Sequence, residues 1–332
     1  MAPRSVPVWL ALAAMTMGLA GCARPGTLSV RTRVIDLGPM RIDRIYRSMQ
    51  GPHDRVRFDW SDVEWLTGFR TEVLDVATSQ PLGEEFFCHS QLQLDNGTRL
   101  LVNATGIADI SFPEGFALPL RQILSSLPEE QRAVSLFGMV LNNHEEGIDR
   151  LAKVRIHLDY LSASDLRGRD PLRNLYKLEL PITVEAEGDH HGHGAGTPLV
   201  GEYPSHWVVA PGRDVRRRRF QGVVPADSTV HFGVVHLHNY AVYMRLIDLT
   251  EERVLWQTDV TNSPDRVQIR RIPPYRSAEG FPLFRDHEYE VEALYDNTGT
   301  RPVDAMASMY LFYNPGGNLE ITYPEPPPGA GS

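Results

Sequence analysis

Cysteine is nearly absent. The 332 residues include only Cys22 and Cys88, too few for a zinc ribbon. A basic excess is missing too. Lys and Arg total 33 against 42 Asp and Glu, a formal charge of -9, which argues against nucleic acid as a partner. No Gly-rich phosphate loop with its Lys occurs, and no G-x-S-x-G elbow. Long helical patterns are few, and no run after residue 22 is long and apolar enough to span a bilayer. What remains is a chain that is 42% hydrophobic with 27 Gly and 25 Pro. Short alternating segments punctuated by turns point to an all-β fold, and the length points to two domains.

The first 22 residues read as a processing segment. Arg4 supplies a positive start, Val8 to Leu19 is a short apolar run, and Leu19-Ala20-Gly21-Cys22 looks like a bacterial lipobox. In that reading Cys22 carries a lipid, and the protein is a membrane-anchored lipoprotein of the bacterial cell envelope, facing periplasm or exterior. Cys88 is then a lone thiol in an exported chain, with no internal disulfide to form.

Residues 23–29 are expected to be a tether and 30–187 a first antiparallel β-sandwich. Strands are expected over 63–76, 86–94, 134–143, 154–161 and 178–184, with a short helix within 121–132. Asp95-Asn96-Gly97 is a hairpin-turn signal. The two N-x-[ST] matches, at Asn96 and Asn103, are read as turn chemistry. Residues 188–204 form a His- and Gly-rich linker, in which His190, His191 and His193 are candidates for loose metal capture. A second β-sandwich follows over 205–323, then a disordered tail over 324–332. The expected architecture is two tandem antiparallel β-sandwich (jelly-roll) domains. The four arginines Arg216 to Arg219 read as an edge strand protected by charge.

The chemistry concentrates at Val234-Val235-His236-Leu237-His238, at the end of a strand-like run. Side chains alternate along a strand, so His236 and His238 share a face while Leu237 points away. Two fixed imidazoles make a metal half-site. A second segment matters with it: Asp304-Ala305-Met306-Ala307-Ser308-Met309-Tyr310 on the last strong strand. By the same alternation, Met309 lies on the face opposite Met306, where ordinary packing is expected.

Together the two segments resemble the copper-binding C-terminal domain of the type II, ascorbate-dependent copper monooxygenases, the peptidylglycine α-hydroxylating monooxygenase group. The resemblance implies copper held by His236, His238 and Met306, with Tyr310 a supporting residue four positions after the Met. Two imidazoles and a thioether form a soft set that suits copper, particularly Cu(I), over zinc. The family also carries a second copper in its N-terminal domain. Its counterparts here are Cys88, His89 and Asn142, with His144 or His157 as substitutes. The exchange of two imidazoles for Cys88 and Asn142 leads to the expectation of one ion rather than two. Val234 stands where peptide-processing members have an Arg that grips the substrate carboxylate, so a peptidylglycine substrate is not expected.

The leading expectation is a single-copper envelope lipoprotein on a monooxygenase-like fold, served by a reductant or copper donor. One alternative is a copper-dependent monooxygenase, an oxidoreductase acting on an unknown substrate. Another is a metal-free structural module. Cys88 and His89 also read formally as a nucleophile–base pair, but adjacent strand residues face opposite sides.

Overall fold

The computed structural model describes residues 29–46, 50–58, 60–95, 97–107, 109–142, 144–166, 171–182, 206–264, 266 and 268–316. Nearly all of the regular structure among them is strand. In chain order these are β1 (Arg31–Ile42), β2 (His53–Phe58), β3 (Trp65–Asp75), β4 (Phe87–Leu94), β5 (Arg99–Ala104), β6 (Asp109–Ser111) and β7 (Phe116–Ala117). The helix α1 (Leu120–Ser125) precedes β8 (Val134–Val140), β9 (Arg150–Leu161), β10 (Arg173–Asn174) and β11 (Tyr176–Pro181). Then come β12 (His206–Val209), β13 (Gly212–Gln221), β14 (Ser228–Leu237), β15 (Ala241–Asp248) and β16 (Arg253–Asp259). The last are β17 (Thr261–Asn262), β18 (Ile269–Arg271), β19 (Tyr275–Leu283), β20 (Glu288–Asn297) and β21 (Val303–Asn314). No described helix is long and apolar enough to cross a membrane.

Four main sheets form from these strands, in two facing pairs. The first pair has orders β1-β9-β3-β6 and β2-β8-β4-β5. The second has β11-β21-β14-β19, with β12 also on β21, and β13-β20-β15-β16. Pairing within all four is antiparallel. The sequence pattern explains the layering. Along β9, Ala152, Val154, Ile156 and Leu158 are buried, while Leu151, Lys153, Arg155 and His157 face outward. Each fully buried Val, Leu or Ile contributes about 1.5–3 kcal/mol over an exposed position. Two glycines mark where sheets approach closely. A Cβ on Gly138 would meet Leu37 and Val154 of the facing sheet. One on Gly233 would stand 2.9 Å from the Trp256 ring.

The two sheet pairs share one continuous apolar core. Phe112 of the first packs on Phe232 and Phe312 of the second, at 5.4 and 5.0 Å between ring centres. Arg276 donates to the Phe112 carbonyl, and Arg99 of β5 pairs with Glu179 of β11. Strand β11 lies within the stretch assigned by sequence to the first sandwich, yet it hydrogen-bonds to β21, Tyr176 opposite Tyr313 through Pro181 opposite Ser308. Alternation reports that a segment is a strand and not which strand it will pair with. The arginine block forms β13, at the edge of its sheet, with Arg217 and Arg219 against Glu292 and Glu290 of β20. The arginines are exposed while Glu290 and Glu292 are buried, so the pairs satisfy two buried carboxylates, and the arginine charge guards the edge.

Candidate metal centre

The site is built on three adjacent strands, β12, β21 and β14. Alternation puts Asp304, Met306, Ser308 and Tyr310 of β21 on one face. His206 of β12 is directly opposite Met306. On the other side, His236 of β14 is opposite Ser308 and Leu237 opposite Ala307. His238 is the next residue along. Register therefore sets His206, Met306 and His238 in one row across three strands, with Asp304 beyond the row on one side and His236 on the other. The reverse face of the same strands carries Trp207, Val235, Leu237, Ala305, Ala307 and Met309, all buried. Met309 packs in the core, on the side opposite Met306.

One buried phenol fixes the row. Tyr295 of β20 accepts from the His238 amide at 3.0 Å and donates to the Met306 carbonyl at 2.6 Å. Its hydroxyl thus bridges β14 and β21 just past their last paired residues, tying together the backbones of two site residues. Trp207 packs edge-on against the Tyr295 ring, 5.5 Å between centres, and its indole N–H donates to Asp214. Burial pushes the Tyr295 phenol well above its ordinary range, so it stays protonated and able to donate.

The side chains converge closely. Asp304 Oδ2 lies 2.8 Å from His238 Nδ1 and 3.4 Å from His206 Nδ1. The ring centres of His206 and His238 are 5.2 Å apart, and those of His236 and His238 are 5.3 Å apart. His206, His238 and Asp304 are the only group of three or more His, Cys, Asp or Glu among the described residues whose ligand atoms lie within 4.8 Å of one another. His236 Nδ1 is buried with no hydrogen-bond partner. Burial, followed by the charges of His238, His89, His206 and Arg99, holds the His236 imidazole well below its ordinary pKa. It is therefore neutral at physiological pH, the form that ligates metals.

Other residues singled out in the sequence fall in different places. Tyr310 is on the site's face, opposite Glu179 and beneath the Lys177 ammonium, which is 5.3 Å from its ring centre. Val234, opposite Tyr310, is buried. Cys88 and His89 do not face opposite sides. A bulge between Phe87 and His89 breaks the alternation and leaves Cys88 Sγ 3.2 Å from His89 Nδ1. The His89 ring stacks on Phe137. Asn142 ties its own loop to the segment after β1: its amide donates to the Arg44 and Glu145 carbonyls, and its oxygen accepts from the Glu145 amide. His144 is exposed beside Phe86. His157 pairs with Glu72 on an outer face. Cys22, His190, His191 and His193 lie outside the described residues.

Sequence reasoning missed His206 and Asp304. Asp304 was within reach, since it lies two residues before Met306 and shares its face. His206 had no local signal, because only register across β21 brings it to the row.

No protein-family model matches the chain, and no curated protein does. Among solved structures it has a likeness to peptide: N-glycanase F (PNGase F), at 10% identity over 85% of this chain and 95% of that one, TM-score 0.38. PBCV-1 VP54, fitted into a reconstruction of the virophage Sputnik, matches at 9% identity over 86% and 94%, TM-score 0.38. The extracellular domain of ANXUR2 from Arabidopsis thaliana matches at 6% identity over 89% of this chain and 92% of that one, TM-score 0.21. At these scores none of the three informs what this chain does.

Proposed function

We propose that this protein binds a single copper ion on the face of the β12–β21–β14 strands, with His236, His238 and Met306 among the ligands. The observation that carries the reading is the orphaned Nδ1 of His236, buried beside the His238 ring. A buried polar atom without a partner costs about 1–3 kcal/mol, and a bound ion would recover that cost. The donor chemistry fits copper. Neutral imidazoles with a thioether at Met306 form the soft nitrogen–sulfur set that copper takes readily. Bound copper supplies one-electron exchange. The chain's own part is to hold the row rigid through the Tyr295 hydroxyl and to keep His236 neutral by burial.

The cellular setting rests on the lipobox-like Leu19-Ala20-Gly21-Cys22, which favours an exported, lipid-anchored protein. A partner that donates copper or electrons would meet it there. The direct test is metal analysis with electron paramagnetic resonance on the full chain. Roughly one equivalent of copper is expected, falling below about half in His238→Ala and His236→Ala. Less than half an equivalent in the parent protein, unchanged by His236→Ala, would sink the reading.

A further inference from the structure

We infer that His206, His238 and Asp304 form a second cation site on the solvent side of the row, which takes a divalent ion of the zinc class through two imidazole nitrogens and a carboxylate oxygen. The inference does not depend on the copper reading, and the site uses neither His236 nor Met306. Distances carry the argument. Ligand atoms that each stand about 2.0–2.1 Å from one ion are about 2.9 Å apart at a right angle and about 3.4 Å apart at a tetrahedral angle. Asp304 Oδ2 lies 2.8 Å from His238 Nδ1 and 3.4 Å from His206 Nδ1. Both separations suit two ligands of one ion. The ligand atoms of all three residues lie within 4.8 Å of one another. Binding would therefore draw the two imidazole nitrogens together by less than about 2 Å. Without an ion, protons on Nδ1 hold the cluster, because a carboxylate only accepts. An ion takes their place, and each ring carries its proton on Nε2 instead.

Position and donor chemistry agree with this. The strands beneath the cluster are fixed by register, His206 opposite Met306 and Val208 opposite Asp304, and by the Tyr295 hydroxyl at the His238 amide. The side chains of His206, His238 and Asp304 keep 18, 14 and 31% of their surface exposed, so an ion reaches them from solvent. The Nδ1 of His236 is buried instead. Two imidazoles and a carboxylate are a borderline set of the kind that three-ligand zinc sites use, with a fourth position left for water. The set contains no thioether or thiolate to favour Cu(I). A neutral imidazole has one lone pair to give, so His238 serves one ion at a time. Zinc at this cluster and copper on His236, His238 and Met306 therefore exclude one another.

The experiment titrates zinc alone into the full chain by calorimetry and reads its coordination by X-ray absorption at the zinc edge. The chain carries His190→Ser, His191→Ser and His193→Ser, so that the His-rich tract does not compete. One equivalent is expected, with two imidazoles, oxygen and no sulfur around the ion. Loss of an outer-shell partner lowers metal affinity about 10–100-fold, so loss of a ligand in His206→Ala or Asp304→Asn should weaken zinc by at least about 100-fold. His236→Ala should leave zinc binding intact. No zinc bound, binding that survives both His206→Ala and Asp304→Asn, or sulfur among the neighbours overturns the inference. The coordination count needs neither ligand variant, so a substitution that unfolds the chain does not remove the test. A chain that binds zinc and no Cu(I) upholds this site and defeats the copper reading; one that binds Cu(I) and no zinc defeats this site alone.

Discussion

Acidification should weaken the metal-free protein through His89, and the size of the effect follows from its burial. The imidazole is 6% exposed, between the Cys88 thiol and the Phe137 ring. Burial first, then the charges of Arg99, His53 and His238, hold it down to about 4 against an ordinary value of 6.5. The folded value lies below the unfolded one, so between pH 6.5 and about 4 the unfolded chain takes up a proton that the native state refuses. Stability from this group is complete above pH 6.5 and is lost as the pH falls towards 4. Each pH unit of separation is worth about 1.36 kcal/mol, so the loss at His89 amounts to about 3 kcal/mol. Asp36 and Asp165 are held to about 2, chiefly by bonds from Arg155 and from Ser162. Their stabilisation is lost mainly below pH 4, outside this window. Urea unfolding of the metal-free protein at pH 7, 6, 5 and 4 measures the effect. The parent should lose stability steeply across the window. His89→Gln should start lower and follow a slope shallower by about 1.4 kcal/mol per pH unit in mid-window, the part that remains coming from His236 and His231, whose imidazoles burial also holds below their ordinary pKa. Equal slopes in the two proteins would refute the assignment of a buried, neutral His89.

Three further outcomes are expected. Tyr295→Phe strands the His238 amide and the Met306 carbonyl and should cost about 2–4 kcal/mol by urea unfolding, with weaker copper binding; a loss under about 0.5 kcal/mol would show that the hydroxyl does not bridge the strands. Gly233→Ala drives a methyl to 2.9 Å from Trp256 and should cost about 1–3 kcal/mol, seen as a lowered melting temperature without change in copper stoichiometry. Met306→Leu should remove the sulfur signal from the X-ray absorption of the Cu(I) protein, whereas Met309→Leu, in the core, should leave it intact and cost less than about 1.5 kcal/mol.

Much of the fold was legible from alternation. The Trp65 and Phe87 strands, the Asp95 turn and the long final strand run close to where period 2 put them. The first strands, β1 and β2, were not resolved by the pattern, because polar residues and a loop-like run at Tyr46 to Pro52 interrupt it. At the site, parity put Met309 on the core side, opposite the face of Met306; the ligand roles of His236, His238 and Met306 belong to the proposal above. Parity misjudged Cys88 and His89, since a bulge is a one-residue event that hydropathy does not record. Asn142, matched through the resemblance to a position where an imidazole is missing, has its side chain occupied by the Arg44 and Glu145 carbonyls and the Glu145 amide.

By itself the sequence determined which residues share a face, because strand geometry turns spacing into direction without any knowledge of partners. It determined the all-β class and the two histidines of one strand. Only the tertiary structure decided which strands lie side by side. Pairing β12 and β14 on opposite edges of β21 brought His206 opposite Met306, one hundred residues on, and beside His238. It also carried β11 into the second sheet pair and set the Tyr295 hydroxyl between two strands. These are choices of register between distant segments, made by the summed burial of whole sheet faces, and no local pattern encodes them.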